Sequence, residues 1–314
     1  MSKPAGILRL DGKDVPFTHP HKVLYPKDGI TKADLAAYYQ AVWPHMGPLL
    51  KDRPLTIHRY PRGLGQGGFY QRRAQEWFPD WIGTAAIPMK TAPHLVVHEV
   101  LASSPAVLAF LVNIGALEIH ASLARAAAPD MADMMIFDLD PPRDFTDEVR
   151  QAAWRLHDAL SELGLPVFVK TTGSRGFHVT VPLRPTHSFD ATRALARAIA
   201  RRVIAESPDE LTLNPRKERR KGRILIDIWR NAYAQTAVAP FSTRARAGAT
   251  VAMPLSWDEM TQGIHPRQWT IANASQRLAG PDPWADFLGR AMDLSSWARS
   301  APEDLRKALA GTDR

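Results

Sequence analysis

From residue 134 onward, apolar and polar positions separate into stretches of two different periods. Residues 134–139 form a short, almost wholly apolar run of strand length. Val149, Ala152, Ala153, Leu156, Leu160 and Leu163 then recur every three or four positions, which predicts an amphipathic helix started by Thr146 and stopped by Gly164. Residues 167–170 predict a second strand, and a turn over 171–176 leads into a third at 177–182. A second helix is expected over 191–204 and a fourth strand over 224–229. The order β-α-β-β-α-β is that of a split βαβ, ferredoxin-like module. In it strands one and three lie side by side at the sheet centre and strand four flanks strand one.

The preceding residues are less regular and show no internal repeat. Thr31 followed by Asp34 resembles a capping box, and Leu35, Tyr38, Tyr39 and Val42 continue it with helical spacing. A strand is expected over 55–60, then a glycine loop, then the aromatic and basic run Phe69, Tyr70, Gln71, Arg72, Arg73. Beyond residue 230, Pro254, Pro266, Pro281, Pro283 and Pro302 interrupt the pattern, and only 302–310 reads as a regular helix. These features predict an α/β (α+β) protein: a mixed α/β module over 1–130, packed on a split-βαβ module over 131–314 whose tail wraps the core.

Composition narrows the partners. The 314 residues are 45% hydrophobic, enough for a sizeable core, and carry a formal net charge of +8, which favours a polyanion. A basic enzyme without any polyanion is the plain alternative. Cysteine is absent, so any metal must sit on oxygen or imidazole. The N-terminus lacks a long apolar segment and no stretch approaches ~18 apolar residues, so the expectation is a cytoplasmic protein with no membrane partner.

Asp138 and Asp140 alternate on the first strand of the second module, so both carboxylates face one side of the sheet. An isolated Asp-x-Asp more often solvates a strand end. Asp227, however, interrupts the apolar run Ile224, Leu225, Ile226, Ile228, and a buried carboxylate demands a partner. In the expected topology its strand neighbours the first, which brings three hard oxygen ligands together for Mg²⁺ or Mn²⁺. His178 begins the adjacent strand. Gly173, Ser174, Arg175 and Gly176 offer amides, a hydroxyl and a guanidinium suited to a triphosphate, and Arg230 and Arg244 add charge. Each of these, taken singly, is also readable as an ordinary half-buried histidine, turn or surface arginine.

Together, the runs Phe137-Asp138-Leu139-Asp140-Pro141-Pro142, Thr172-Gly173-Ser174-Arg175-Gly176-Phe177-His178 and Gly222-Arg223-Ile224-Leu225-Ile226-Asp227-Ile228-Trp229-Arg230-Asn231 resemble the three motifs of the archaeo-eukaryotic primase superfamily. They most resemble the polymerase domain of bacterial end-joining ligase D. The similarity extends to Thr18 through Pro26, Arg53-Pro54-Leu55, Gly68 through Gln71, Leu117 through His120 and Ala239 through Arg246. It implies that Asp138, Asp140 and Asp227 hold two Mn²⁺ or Mg²⁺ ions. His120, Thr172, Ser174, Arg175, His178, Arg230 and Arg244 would contact a nucleoside triphosphate. Lys22 and Lys32 would hold a DNA 5′-phosphate, Phe69 or Tyr70 would stack on the template, and Arg53 and Arg220 would serve DNA binding, with DNA in a cleft between the modules. It further implies ribonucleotide preference, action at gaps and double-strand breaks, Ku and an ATP-dependent DNA ligase as partners, and a nucleoid-associated place in a bacterium. Thr172 and Arg175 stand where the family pattern often has serine and lysine, and Tyr70 replaces a second phenylalanine.

Rival readings fail on local context. Gly63, Gly65 and Gly68 match G-x-G-x-x-G after a strand, but no helix start or acidic strand end follows, so a loop is expected rather than a dinucleotide site. Lys27-Asp28-Gly29 lacks the residue that would separate the lysine and aspartate of a ligase's nucleotide-attaching lysine motif. A phosphatase of the haloacid-dehalogenase type would want Thr or Val after Asp140, where Pro141 and Pro142 stand. A non-catalytic RNA-reading sheet would need paired aromatics on 177–181, which carry only Phe177.

Overall fold

In the computed structural model of this chain, residues 6–144 and 147–311 are described. The expected Thr146 cap lies outside them. Backbone contacts divide the chain into two compact units. The first takes residues up to Ser122 together with Val238–Ala252 and Trp269–Asp282; the second takes Leu123–Ala237, Met253–Gln268 and the chain from Pro283 onward.

The first unit opens with a hairpin, β1 (Ile7–Leu10) and β2 (Lys13–Pro16), whose two-residue turn places Asp11 and Gly12 at positive φ. Short strands β3 (Val23–Tyr25) and β4 (Ile30–Thr31) lead into α1 (Lys32–Leu50). The expected capping box is present: Thr31 Oγ1 accepts the Asp34 amide at 3.2 Å, and Asp34 Oδ2 accepts the Thr31 amide at 2.9 Å. Pro44 and Pro48 remove backbone donors inside α1. Its hold therefore comes from a buried face of Leu35, Tyr39, Val42, Met46 and Leu50. Next come β5 (Pro54–Arg59), β6 (Phe69–Gln71), β7 (Thr84–Met89), β8 (Ala92–Leu101), α2 (Pro105–Asn113) and β9 (Ala116–Ser122). Four of these strands make a sheet in the order β9-β5-β8-β7, with β6 also paired to β5.

The second unit contains β10 (Met134–Asp140), α3 (Asp147–Glu162), β11 (Phe168–Thr171), β12 (Phe177–Pro182), α4 (Phe189–Glu206), β13 (Leu211–Thr212), α5 (Lys217–Arg220) and β14 (Ile224–Asp227). β15 (Thr236–Val238) then spans the boundary of the two units, and β16 (Pro254–Leu255) returns to the second. The sheet order β13-β14-β10-β12-β11-β16 contains the expected core, with strand one between strands three and four. Two-residue edges, β13 and β16, extend it on either side.

The division differs from a single cut near residue 130 because the later chain supplies polar partners for α1 and β3. Tyr38 donates its hydroxyl to Phe241 O at 2.7 Å, Tyr39 shares a hydrogen bond with Thr243 Oγ1 at 2.9 Å, and Tyr25 donates to Arg244 O at 3.0 Å. The tail also holds more than one helix: α6 (Trp257–Thr261), α7 (Ala274–Leu278) and α8 (Leu294–Trp297) precede α9 (Glu303–Ala310). Its wrapping of the second unit is done by tryptophans. Trp257, Trp284 and Trp297 donate Nε1–H to Val167 O, Val169 O and Leu163 O at 3.0, 3.0 and 2.8 Å. Among the described residues no helix is long and apolar enough to cross a membrane.

Candidate active site

β10 ends in Asp-Leu-Asp after Met135, Ile136 and Phe137, all buried, so its apolar stretch anchors the strand and its C-terminal end is acidic. Register completes the arrangement. Asp138 pairs with Asp227 of β14 on one side and with His178 of β12 on the other, while His178 pairs with Lys170 of β11. A row Lys170, His178, Asp138, Asp227 therefore crosses four strands on one face, with Asp140 two residues along β10. Directly opposed like charges repel unless a counter-charge intervenes.

Each carboxylate has a cationic or amide partner. Asp140 accepts from Arg175 Nη2 at 3.0 Å through one oxygen and from Arg220 Nη1 at 2.9 Å through the other. Asp138 lies 3.4 Å from His178 Nε2 and 3.5 Å from Arg230 Nε. Asp227 Oδ1 accepts the Trp229 amide at 2.7 Å. Burial alone would raise the Asp138 carboxyl, but His178, Arg230 and Lys170 outweigh it and hold the group well below the usual carboxylate range. Asp227 is shifted the other way: burial raises it and the charges of Asp138 and Asp140 add to that, against the Trp229 amide and Arg230. For His178, burial and Lys170 overcome the pull of Asp138 and lower the imidazole to about 4, so it is neutral near neutral pH.

Three aspartates on the adjacent strands β10 and β14 are the donor chemistry that a hard divalent cation takes. Asp227 is raised first by burial and then by the charges of Asp138 and Asp140, and a cation beside it would favour its ionised form. Among the described residues no three acidic or histidine side chains converge as a finished metal cluster. The aspartates are paired with arginine, histidine and amide partners.

The 172–176 turn is built by Thr172, whose hydroxyl donates to Gly176 O at 3.0 Å and accepts the Ser174 and Gly176 amides at 3.2 and 3.3 Å. Gly173 adopts φ 63°, and a Cβ at Gly176 would meet Leu139 O at 1.8 Å, so only glycine lets β12 begin this close to β10. The turn thus delivers Arg175 to Asp140 and His178 to Asp138.

The other anticipated residues belong to the first unit. Lys32 is buried, its Nζ donating to Thr18 O at 2.8 Å and Asn113 Oδ1 at 3.0 Å; Lys22 Nζ donates to Pro61 O at 2.6 Å. Burial, with Lys22 adding to it, pushes the Lys32 ammonium down to about 8. Phe69 and Tyr70 are 49% and 60% exposed, as stacking surfaces require. Arg53 has a different environment from the DNA-facing side chain expected of it. It is 1% exposed, and its guanidinium donates to Leu49 O at 2.9 Å and Ser122 O at 3.0 Å, tying α1 to β9. His120 and Arg244 meet at a buried carboxylate, Glu118, which lies 2.8 Å from His120 Nε2 and 3.1 Å from Arg244 Nε. Sequence reasoning passed over Glu118, although Glu118 and His120 share the two-residue spacing that singled out Asp138 and Asp140. Lys170 had no such signal; only strand register reveals it.

The chain is similar to known proteins over most of its length. The model of the LigD primase-polymerase domain matches residues 31–284. The multifunctional non-homologous end joining protein LigD of Pseudomonas aeruginosa is 30% identical over 299 residues, which is 94% of this chain and 35% of that protein. The bifunctional non-homologous end joining protein LigD of Bacillus subtilis is 29% identical over 281 residues, 88% of this chain and 44% of its own length. The chain therefore spans between a third and a half of these relatives. A solved structure of the polymerase domain from Mycobacterium tuberculosis ligase D in complex with DNA superposes with a TM-score of 0.81 at 28% identity, covering 88% of this chain and 99% of that one. The chain belongs to the LigD primase-polymerase domain family, a family of metal-dependent nucleotidyltransferases.

Proposed function

We propose that this chain adds nucleotides to a DNA 3′-hydroxyl under template direction, at gaps and broken ends, in non-homologous end joining. The observation that carries the reading is the register pairing of Asp138 with Asp227 beside Asp140, ringed by Arg175, Arg220 and Arg230. The primer hydroxyl oxygen attacks the nucleotide α-phosphorus, the bond to the bridging oxygen of the β-phosphate breaks, and pyrophosphate leaves while the hydroxyl proton passes to solvent. Two ions, Mn²⁺ or Mg²⁺, bound by the three aspartates would supply neutralisation of the developing charge and lower the pKa of the attacking hydroxyl. Arg175, Arg220 and Arg230, which line the aspartates, are suited to phosphate oxygens. Ser174 and Arg175 sit on the turn that would face the triphosphate. Neutral His178 is suited to accept or donate a single hydrogen bond there.

Within the same reading, His120 and Arg244 contact the nucleotide, Lys22 and Lys32 hold a 5′-phosphate, Phe69 or Tyr70 stacks on a template base, and Ku and an ATP-dependent ligase are partners. Ribonucleotides are the preferred substrates. The relatives' names as end-joining proteins and the DNA in the M. tuberculosis structure support it. The test is primer extension on gapped DNA with each metal and with ribo- and deoxyribonucleotides. Asp138→Ala, Asp140→Ala and Asp227→Ala should each abolish incorporation while DNA binding and melting temperature are largely kept. Near-normal extension by Asp227→Ala would sink the three-carboxylate site.

A further inference from the structure

Glu118 is 4% exposed on β9, between Leu117 and Ile119, which are fully buried. Nothing in that apolar strand calls for an acid, and a buried carboxylate is costly unless several donors meet it. Two hydrogen-bond donors, His120 Nε2 and the Ala245 amide, and two charge partners, His58 and Arg244, meet it from three chain segments. Glu118 Oε2 lies 2.8 Å from His120 Nε2, two residues along the same strand, and 3.7 Å from His58 Nδ1, its register partner on β5. Glu118 Oε1 accepts the Ala245 amide at 2.9 Å and lies 3.1 Å from Arg244 Nε. One oxygen thus backs the two histidines and the other backs the arginine segment. Above them Tyr70 stacks on His58 with ring centroids 4.0 Å apart and meets the His120 ring edge-on at 5.6 Å.

We propose that Glu118 is a positioning residue for nucleotide use, one buried carboxylate that sets the His120 tautomer and the plane of the Arg244 guanidinium together. The proposal rests on the assignment of His120 and Arg244 to the nucleotide. A carboxylate at Nε2 makes that nitrogen the protonated one in a neutral His120 ring and leaves Nδ1 as the acceptor. The Arg244 segment is held at its backbone as well, because the Tyr25 hydroxyl donates to the Arg244 carbonyl oxygen at 3.0 Å while Glu118 faces its guanidinium. Burial would raise the Glu118 carboxyl, but His120, His58 and Arg244 outweigh it and keep the group ionised. Without the charge, both side chains lose their shared reference point while β9, which carries His120, and the segment that carries Arg244 stay.

Glu118→Gln keeps the volume and one acceptor oxygen but removes the charge; Glu118→Asp keeps the charge. With a nucleoside triphosphate on gapped DNA, Glu118→Gln should raise KM about tenfold or more, the scale on which outer-shell partners act, with primer–template affinity unchanged. Glu118→Asp should recover part of the loss. Imidazole ¹⁵N spectra of the wild type should show His120 protonated at Nε2, and Glu118→Gln should shift that pattern. If Arg244→Ala raises KM but Glu118→Gln leaves both KM and the imidazole spectrum unchanged, the positioning role is wrong while the nucleotide assignment stands. If neither variant moves KM, the assignment itself fails. Parallel losses in DNA affinity, nucleotide use and melting temperature for Glu118→Gln make Glu118 structural and overturn the proposal. Should the variant not fold, a wild-type spectrum lacking the Nε2-protonated His120 overturns it alone.

Discussion

Lys32 sits at the first turn of α1 with its ammonium among Thr18 O, Asn113 Oδ1 and the field of Lys22. The helix end itself favours an anion there. An ammonium lowered to about 8 is protonated at neutral pH and loses its proton well before an ordinary lysine at 10.5. A 5′-phosphate binds the charged form, so preference for 5′-phosphorylated over 5′-hydroxyl gapped DNA should be full below that pH and decline as pH rises through it. The phosphate monoester stays dianionic above about pH 7, so the decline belongs to the lysine. Lys22→Ala with Lys32→Ala should erase the preference at every pH. A ratio that is flat from about pH 7 to about pH 9.5 in the wild type would count against the pocket. Arg53 was as visible in the sequence as Lys32, yet it staples two carbonyls in the interior. Both cations are buried, and only packing shows that Arg53 is spent on two backbone carbonyls while Lys32 lies beside a second lysine at a helix start.

At the scale of elements, the sheet of the second unit was largely legible because its strands are apolar runs bounded by turns and its helices keep a strict three-to-four spacing. β12 matches its expected limits, and β10 runs one residue further, through Asp140. β13 and β16 were not legible, since two residues carry no period, and neither were the short helices α6, α7 and α8. The site depends on register more than on pattern: Asp138, Asp140 and Asp227 are legible as residues, while their pairing, the arginine partners of Asp140 and the Glu118 cluster arise only from the folded sheets. Gly176 controls that register, because any Cβ there collides with Leu139 O. Gly176→Ala should push β12 off β10, abolish incorporation and lower the melting temperature, with helical circular dichroism mostly kept. An active, normally melting Gly176→Ala protein would mean that the close approach is not required.

Over the whole molecule, a net charge of +8 is distributed on a chain that passes between its two units at residues 122, 237, 252, 268 and 282. A fragment ending near residue 130 keeps Tyr25, Tyr38 and Tyr39 but loses Phe241, Thr243 and Arg244, the groups those hydroxyls bond. Each stranded buried hydroxyl costs ~1–3 kcal/mol, a large share of a domain's stability. Such a fragment should therefore melt without a cooperative transition, and a sharp melt near that of the full chain would refute the dependence. The interleaving also limits how the protein can be inherited. A gene cut once anywhere in this chain cannot pass on the lysine-bearing unit without the carboxylate-bearing one, so recombination can move the pair only as a single cassette.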